Sequence, residues 1–297
     1  MSKEKKGAAK KEQFRQEKKK ITKERKEYFE RKRAEAKGMG QSMEPGSAKP
    51  VITRAVEEKM PLNKYIAHSG ICSRRDAVDI IKNGKVKVNN AVVIEPGYKI
   101  SPSDVVIVNG KKITPVKNLV YILMNKPKDY ITTTEDERGR KTVLDLIKNA
   151  TKEKVYPVGR LDRNTSGVLL LTNDGDLTQK LTHPSNEIKK LYAVTLDKPL
   201  SKNHFDEILK GTPLEDGVAN VDSLAYTDNA DKTQIGIEIH SGRNRIVRRI
   251  FEHYGYDVKN LDRVIFAGLT KKNVERGKWR FLSEKEVRDL KYFKKGK

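Results

Sequence analysis

The sequence predicts an α+β protein in which a small αα-β module precedes a larger domain with a mainly antiparallel sheet. Two observations favour this class. Near residue 60, two short amphipathic helix patterns are followed by a hairpin pattern, and from about residue 119 short apolar strands alternate with helices. Several consecutive strands in the second region lack a helix long enough for a crossover, which indicates antiparallel pairing.

The first segment, residues 1–59, is dense in charge and nearly free of branched aliphatic side chains. It cannot bury enough apolar surface to offset the entropy of ordering, so we predict a basic, disordered arm and linker. The whole chain of 297 residues has 63 Lys and Arg against 40 Asp and Glu, a formal net charge of +23. This charge favours a polyanionic partner, with nucleic acid expected before an acidic membrane surface.

Residue usage also argues against several classes of protein. A single cysteine, Cys72, excludes an internal disulfide, and five scattered histidines give no pair at metal-ligand spacing, so no metal site is expected. The amino terminus lacks the apolar core of a secretory signal, and no apolar run approaches the ~20 residues that span a bilayer. We expect a cytoplasmic monomer with no membrane partner.

The predicted module, residues 60–118, has two short helices and then a hairpin that starts at "KVKVNN". Ser73 is the predicted N-cap of the second helix and Gly84 its stop. Arg74 and Arg75 open this helix, where positive charge opposes the helix dipole, so we interpret them as contacts for phosphate. The stretch "LNKYIAHSGICSRRDAVDIIKNGKVKVN" resembles the alpha-L RNA-binding motif of a small-subunit ribosomal protein and of several RNA-modifying enzymes.

The stretch "VGRLDRNTSG", residues 158–167, places Asp162 between Arg160 and Arg163 in a polar turn that leads into the apolar run "VLLL". A surface ion pair is the commoner role of such an acid. The following strand must be buried, however, so the turn is anchored at the edge of the core. An acid fixed there beside guanidinium groups would stay ionised, as a nucleophile or general base requires.

The longer stretch "GRLDRNTSGVLLLTNDGDL" resembles the signature of the pseudouridine synthases, and more narrowly of the RsuA/RluB branch that modifies ribosomal RNA. Other motifs of that branch occur in order: "ILMNKP" before it, then "IKKLYAV", "SGRNRIVRRIFEHYGYDV" and "LDRVIFAGL". The resemblance implies a pseudouridine synthase catalytic domain over residues 119–297. It also implies an enzyme that detaches a uracil from its ribose in ribosomal RNA and rejoins it through C5, a reaction without a cofactor.

The resemblance further implies roles for individual residues. Asp162 matches the catalytic aspartate, Tyr192 the tyrosine that packs on the flipped base and is suited to take the proton from C5, and Arg248 the basic residue that pairs with the aspartate. Six more basic residues in these motifs are expected to bind the RNA: Lys126, Arg160, Arg163, Arg243, Arg245 and Arg249.

The sequence leaves two questions undecided, the conformation of one loop and the choice between two functions. Relatives commonly carry glycine where this chain has Asp129, two residues after Pro127, which leaves the conformation of that loop undecided. A protein that binds ribosomal RNA or a pre-ribosomal particle during ribosome assembly, without catalysis, is the alternative function. The retention of Asp162, Tyr192 and Arg248 together favours the enzyme, and the arginine-rich "GRNRIVRR" resembles the branch that acts on the large subunit.

Overall fold

A computed structural model describes residues 59–115, 118–228 and 230–292, so the predicted arm lies outside the described residues except for Lys59. The described helices are α1 Leu62–His68, α2 Arg74–Lys82, α3 Gly175–Thr182, α4 Lys202–Lys210, α5 Ile246–His253 and α6 Glu284–Lys291, with 3-10 helices η1 Val143–Ile147 and η2 Pro184–Asn186. The described strands are β1 Met60–Pro61, β2 Val86–Val88, β3 Ala91–Val92, β4 Lys99–Ile100, β5 Val106–Val108, β6 Lys111–Ile113, β7 Tyr121–Lys126, β8 Tyr156–Pro157, β9 Ser166–Thr172, β10 Lys190–Leu196, β11 Thr212–Leu214, β12 Gly217–Ala219, β13 Ser223–Tyr226, β14 Gln234–Ile239, β15 Val258–Phe266, β16 Leu269–Thr270 and β17 Trp279–Phe281.

The first module packs α1 and α2 against a four-stranded antiparallel sheet of order β3-β2-β5-β6. The start of α2 follows from a capping box: the Ser73 hydroxyl accepts the amide of Asp76, and the Asp76 carboxylate accepts the amide of Ser73, both at 3.2 Å. The predicted N-cap is therefore confirmed. The carboxylate of Asp76 also offsets part of the unfavourable charge of the two arginines that begin the helix.

The second region is built on a nine-stranded sheet of order β13-β14-β10-β15-β9-β7-β17, with β16 added to β15 and β8 added to β9. All pairings are antiparallel except the one between β9 and β15. The predicted α+β class with a mainly antiparallel sheet is confirmed.

Strand β9 forms the centre of the core, and each of its seven residues is buried. Its side chains alternate between two apolar clusters. Leu170 packs with Leu177 of α3 on one face, while Leu169 packs with residues of α4 and α5 on the other. Burial on both faces explains why this strand reads as an uninterrupted apolar run.

The parallel pairing between β9 and β15 covers only Ser166 and Gly167 opposite Asp262 and Arg263. Gly167 has φ +111, and a Cβ atom there would lie 2.1 Å from the Arg263 carbonyl oxygen. Only glycine permits this approach of the two backbones. The turn that carries Asp162 is thereby placed directly before the point where β9 meets β15.

Candidate active site

The turn that carries Asp162 connects β8 to β9 and is closed by a hydrogen bond from the Thr165 amide to the Asp162 carbonyl oxygen at 3.0 Å. Thr132 supports the turn from the side. Its hydroxyl donates to the Leu161 carbonyl oxygen at 2.8 Å and accepts the Leu161 amide at 3.3 Å. The backbone on both sides of Asp162 is therefore held by hydrogen bonds, as a fixed catalytic group requires.

Lys126 lies beneath this turn with no exposed surface. Its amino group donates to the carbonyl oxygens of Pro127 (3.0 Å), Asp162 (3.0 Å), Arg163 (3.3 Å) and Thr165 (2.8 Å). The expected RNA contact is wrong for this residue, because burial at the end of β7 directs the amino group into the protein. Burial also lowers the pKa of Lys126 to about 8, although the negative charge of Asp162 opposes the shift.

The structure shows the conformation of the loop at Asp129, which the sequence left undecided. Asp129 has φ +68, in the left-handed region that favours glycine, and its amide donates to the Arg163 carbonyl oxygen at 2.9 Å. Its carboxylate forms an exposed ion pair with Arg163 at 3.1 Å. Aspartate tolerates this backbone conformation better than most residues, so the loop keeps the shape that glycine would adopt.

The turn opens onto a cavity of about 970 Å³ whose wall includes both Asp162 and Tyr192. Asp162 is half-buried, and its carboxylate accepts no hydrogen bond from any described residue. Seven basic side chains line the cavity against four acidic ones. The basic set is Arg140, Arg160, Arg163, Lys190, Arg243, Arg245 and Arg263, and the acidic set is Glu135, Asp136, Asp162 and Glu187. This balance suits a polyanionic ligand that lies beside the Asp162 carboxylate.

Arg248 does not form the expected ion pair with the Asp162 carboxylate. It is buried in α5 and donates to the carbonyl oxygens of Val258 at 2.7 Å and Asn164 at 3.4 Å. Its Nε atom has no hydrogen-bond partner. Burial and the nearby charge of Arg245 lower the pKa of Arg248, while Asp162 acts in the opposite direction. The guanidinium thus reaches the backbone of the Asp162 turn rather than its side chain.

Two of the predicted RNA-binding arginines are engaged within the protein. Arg243 donates to Asp216 at 2.8 Å and Arg249 donates to the same carboxylate at 2.6 Å, which places the turn between β11 and β12 against them. Arg243 also donates to the carbonyl oxygens of Gly217 and Val218. Their binding to RNA stays a prediction, and it requires phosphate to replace Asp216.

The remaining arginines predicted to contact RNA differ in their solvent exposure and in whether they form ion pairs within the protein. Arg245 lines the cavity and pairs with Glu252 at 3.1 Å. Arg160 is exposed on the cavity wall and forms no ion pair with a described residue. Arg74 and Arg75 are exposed on α2, outside the cavity, so any RNA that they bind extends beyond it.

Two cations near Tyr192, the half-buried Lys190 and the buried Arg263, were not predicted. Lys190 donates to the carbonyl oxygens of Ile188 at 2.9 Å and His240 at 2.6 Å. Burial, reinforced by repulsion from Arg263, lowers the pKa of Lys190 to about 8. Arg263 stands opposite Tyr192 in the pairing of β10 with β15. Their positions next to the apolar residues of "KKLYAV" and "LDRVIFAGL" were the available signal.

No group of three or more His, Cys, Asp or Glu side chains that could hold a metal ion occurs among the described residues. None of the helices in the described part of the chain is long and apolar enough to cross a membrane.

Comparison with known proteins identifies the family of this chain. Residues 120–253 match the family model described as RNA pseudouridylate synthase, and residues 60–106 match the S4 domain. Ribosomal large subunit pseudouridine synthase B of Bacillus subtilis is 42% identical over 232 residues, which cover 77% of this chain and 94% of the relative. This chain belongs to the RNA pseudouridine synthase family. It is therefore an isomerase with an N-terminal S4 domain, and the resemblances noted in the sequence are confirmed.

Two further comparisons support membership of the pseudouridine synthase family. Dual-specificity RNA pseudouridine synthase RluF of Escherichia coli is 36% identical over 236 residues, which cover 79% of each chain. A crystal structure of a pseudouridylate synthase matches with a TM-score of 0.57 at 26% identity, over 78% of this chain and 99% of that one. The match to RluF extends over most of both chains, so the similarity includes the S4 domain as well as the catalytic sheet.

Proposed function

We propose that this protein converts one uridine of large-subunit ribosomal RNA to pseudouridine, with Asp162 as the catalytic residue. The Bacillus subtilis relative is named for the large ribosomal subunit, and it is matched along nearly its whole length. The basic cavity wall and the exposed arginines of α2 fit an RNA substrate that contacts both parts of the protein.

A single observation carries the assignment to Asp162. Its carboxylate faces a basic cavity, accepts no hydrogen bond from a described residue, and belongs to a turn whose backbone is tied to Lys126 and Thr132. A carboxylate that only supported the fold would be paired, as Asp216 and Asp262 are. The unpaired oxygen atoms are free to act at C1′ of the ribose, either by attack or by assistance to uracil departure.

The proposed reaction breaks and forms bonds within one nucleotide. The target uridine is extruded into the cavity, at a cost of a few kcal/mol for unstacking, and its base lies against Tyr192. The bond from C1′ to N1 breaks with the help of Asp162, the uracil turns, and C5 bonds to C1′. Tyr192 then accepts the proton from C5 and N1 takes a proton from solvent, so the product has the same atoms as the substrate.

Mapping of pseudouridines tests the function in cells. Carbodiimide-dependent stops of reverse transcription are compared across both large and small ribosomal RNAs in cells with the wild-type protein, without it, and with Asp162→Asn. We expect a single large-subunit site to disappear in both altered strains. Asp231→Asn is the matched control, since Asp231 accepts hydrogen bonds only within its own turn, and the site should remain.

The same experiment distinguishes the enzyme from the alternative function, a non-catalytic protein that binds ribosomal RNA during ribosome assembly. A binding protein for ribosome assembly would leave every pseudouridine in place in the deletion strain, while ribosomal particles would accumulate as precursors. Loss of a site in the deletion strain but not with Asp162→Asn would refute the assignment of Asp162 and keep the substrate. Loss of a small-subunit site would refute the proposed target.

A further inference from the structure

The loop between β14 and α5 forms one continuous part of the cavity wall. All six of its residues, 240–245, line the cavity. The loop carries Arg243 and ends at Arg245, which is the N-cap of α5 and has φ +47. This left-handed conformation is unfavourable for a side chain such as arginine, so contacts elsewhere in the structure must hold the loop in shape.

Lys190 supplies contacts at the beginning of this loop. It lies at the start of β10, opposite Ile239, the last residue of β14. Its amino group donates to the carbonyl oxygens of His240 at 2.6 Å and Ser241 at 3.4 Å, the first two residues of the loop. A third hydrogen bond, at 2.9 Å, reaches the carbonyl oxygen of Ile188. One side chain thereby joins the start of β10 to the start of the loop.

Other contacts hold single groups of the same segment. The Ser241 hydroxyl accepts the amide of Arg243 at 3.3 Å, and the His240 ring is hydrogen bonded to Asp222 at 2.7 Å. Lys190 differs from these contacts because it binds two consecutive carbonyl groups of the backbone. Its loss would therefore change the direction in which the chain leaves β14.

A lysine is an unfavourable choice for this position if stability is the only requirement. Lys190 is half-buried, and its three hydrogen bonds go to uncharged carbonyl oxygens. Burial and the nearby charge of Arg263 lower the pKa of Lys190 to about 8. An uncharged donor would avoid this destabilisation. A positive charge has a use, however, in a cavity wall that faces a polyanion.

We propose that Lys190 is a positioning residue for RNA binding, which holds residues 240–245 in the shape that directs Arg245 to a phosphate group beside the extruded uridine. The inference rests on the proposed function, since it takes ribosomal RNA as the ligand of the cavity. Lys190 acts through the loop and not on the uracil. Tyr192, two residues further along β10, is held separately by the pairing of β10 with β14 and β15.

The test compares Lys190→Met with Lys189→Met in the full-length protein, on a ribosomal RNA fragment that carries the target uridine. Both variants lose one positive charge, but Lys189 is exposed and forms only a surface ion pair with Glu238. For Lys190→Met we expect KM and the Kd for RNA to rise about tenfold, with kcat within about threefold of the wild type. The slope of log K against log salt concentration should become shallower by about one unit, because a phosphate contact is lost. Lys189→Met should stay close to the wild type in KM and in slope.

Two further variants separate positioning of the loop from a general loss of stability. In the Arg245→Gln background, Lys190→Met should cause little further loss of RNA affinity, because both changes remove the same contact. Lys190→Gln retains an uncharged donor and should lie between the wild type and Lys190→Met. Thermal unfolding is measured first, and if Lys190→Met does not fold, Lys190→Gln supplies the comparison of KM, kcat and salt slope.

The outcomes that would overturn the inference are distinct from failure of the proposed function. A folded Lys190→Met protein with the KM and salt slope of the wild type would overturn it. Losses of affinity that add in full in the double variant with Arg245→Gln would overturn it as well. A fall in kcat alone would place the effect at Tyr192 and contradict a role in binding. A wild type that binds the RNA without isomerising it would instead overturn the proposed function, while the affinities would still test Lys190.

Discussion

The Lys126 amino group and the Asp162 carbonyl oxygen are hydrogen bonded at 3.0 Å, while the Asp162 carboxylate accepts no hydrogen bond from a described residue. Lys126 thus fixes the backbone of Asp162 and leaves the Asp162 side chain free. The arrangement separates the support of this turn from the chemistry proposed for Asp162. It also explains why a lysine occupies a position with no exposed surface.

Replacement of Lys126 should damage both stability and catalysis. Lys126→Met leaves four carbonyl oxygens, three in the turn and one on Pro127, without their shared donor, so we expect a loss of about 2 kcal/mol or more in the free energy of unfolding. The rate should fall at least tenfold because Asp162 loses its fixed position, while RNA affinity changes little. Urea unfolding and single-turnover assays measure these effects, with Lys128→Met as the exposed neighbouring control. Equal behaviour of the two variants would contradict the role of Lys126.

Lys126 should also make stability depend on pH. Its pKa falls from 10.5 in the unfolded chain to about 8 in the fold. Between these values the unfolded chain binds a proton that the folded protein does not, so stability contributed at this site rises as pH increases from about 8 towards 10.5. The destabilisation is complete below pH 8. The free energy of unfolding, measured in urea, should be higher at pH 10 than at pH 8 in the wild type, and this difference should be smaller in Lys126→Met. The same difference in both proteins would disprove the contribution of Lys126.

Gly167 should tolerate no side chain. A Cβ atom would lie 2.1 Å from the Arg263 carbonyl oxygen and 2.6 Å from its amide nitrogen, both backbone atoms that cannot turn away. We expect Gly167→Ala to destabilise the protein by about 2 to 4 kcal/mol and to reduce activity, since β9 and β15 must separate beside the Asp162 turn. Gly139→Ala is the control. It also has positive φ but open space around it, and should cost about 1 kcal/mol.

Asp216 should compete with RNA phosphates for Arg243 and Arg249. In Asp216→Asn, Arg243 loses its carboxylate partner and Arg249 keeps only Glu215, so we expect tighter RNA binding. The slope of log K against log salt concentration should steepen by about one to two units. Filter binding across a salt series measures this slope, and Asp231→Asn removes an equal charge without releasing an arginine. The same slope in both variants would show a general effect of net charge.

The sequence predicted the elements whose patterns are local. The N-cap at Ser73 and the buried run of β9 depend on neighbouring residues, and both are found in the structure. The roles of Lys126 and Arg248 were not predictable, because they depend on where distant carbonyl groups lie. For the same reason the pairing of Arg243 with Asp216, 27 residues away, could not be anticipated. The boundary between residues 118 and 119 stays a prediction.

The most direct test of the central claim is a single-turnover assay of Asp162→Asn on a ribosomal RNA fragment carrying 5-tritiated uridine at the target position, with RNA affinity measured in parallel. Asparagine has nearly the same size as aspartate but cannot attack or assist as a carboxylate does. We predict that tritium release from C5 disappears while RNA affinity stays within about threefold of the wild type. Tritium release at a rate close to that of the wild type would contradict the assignment of Asp162.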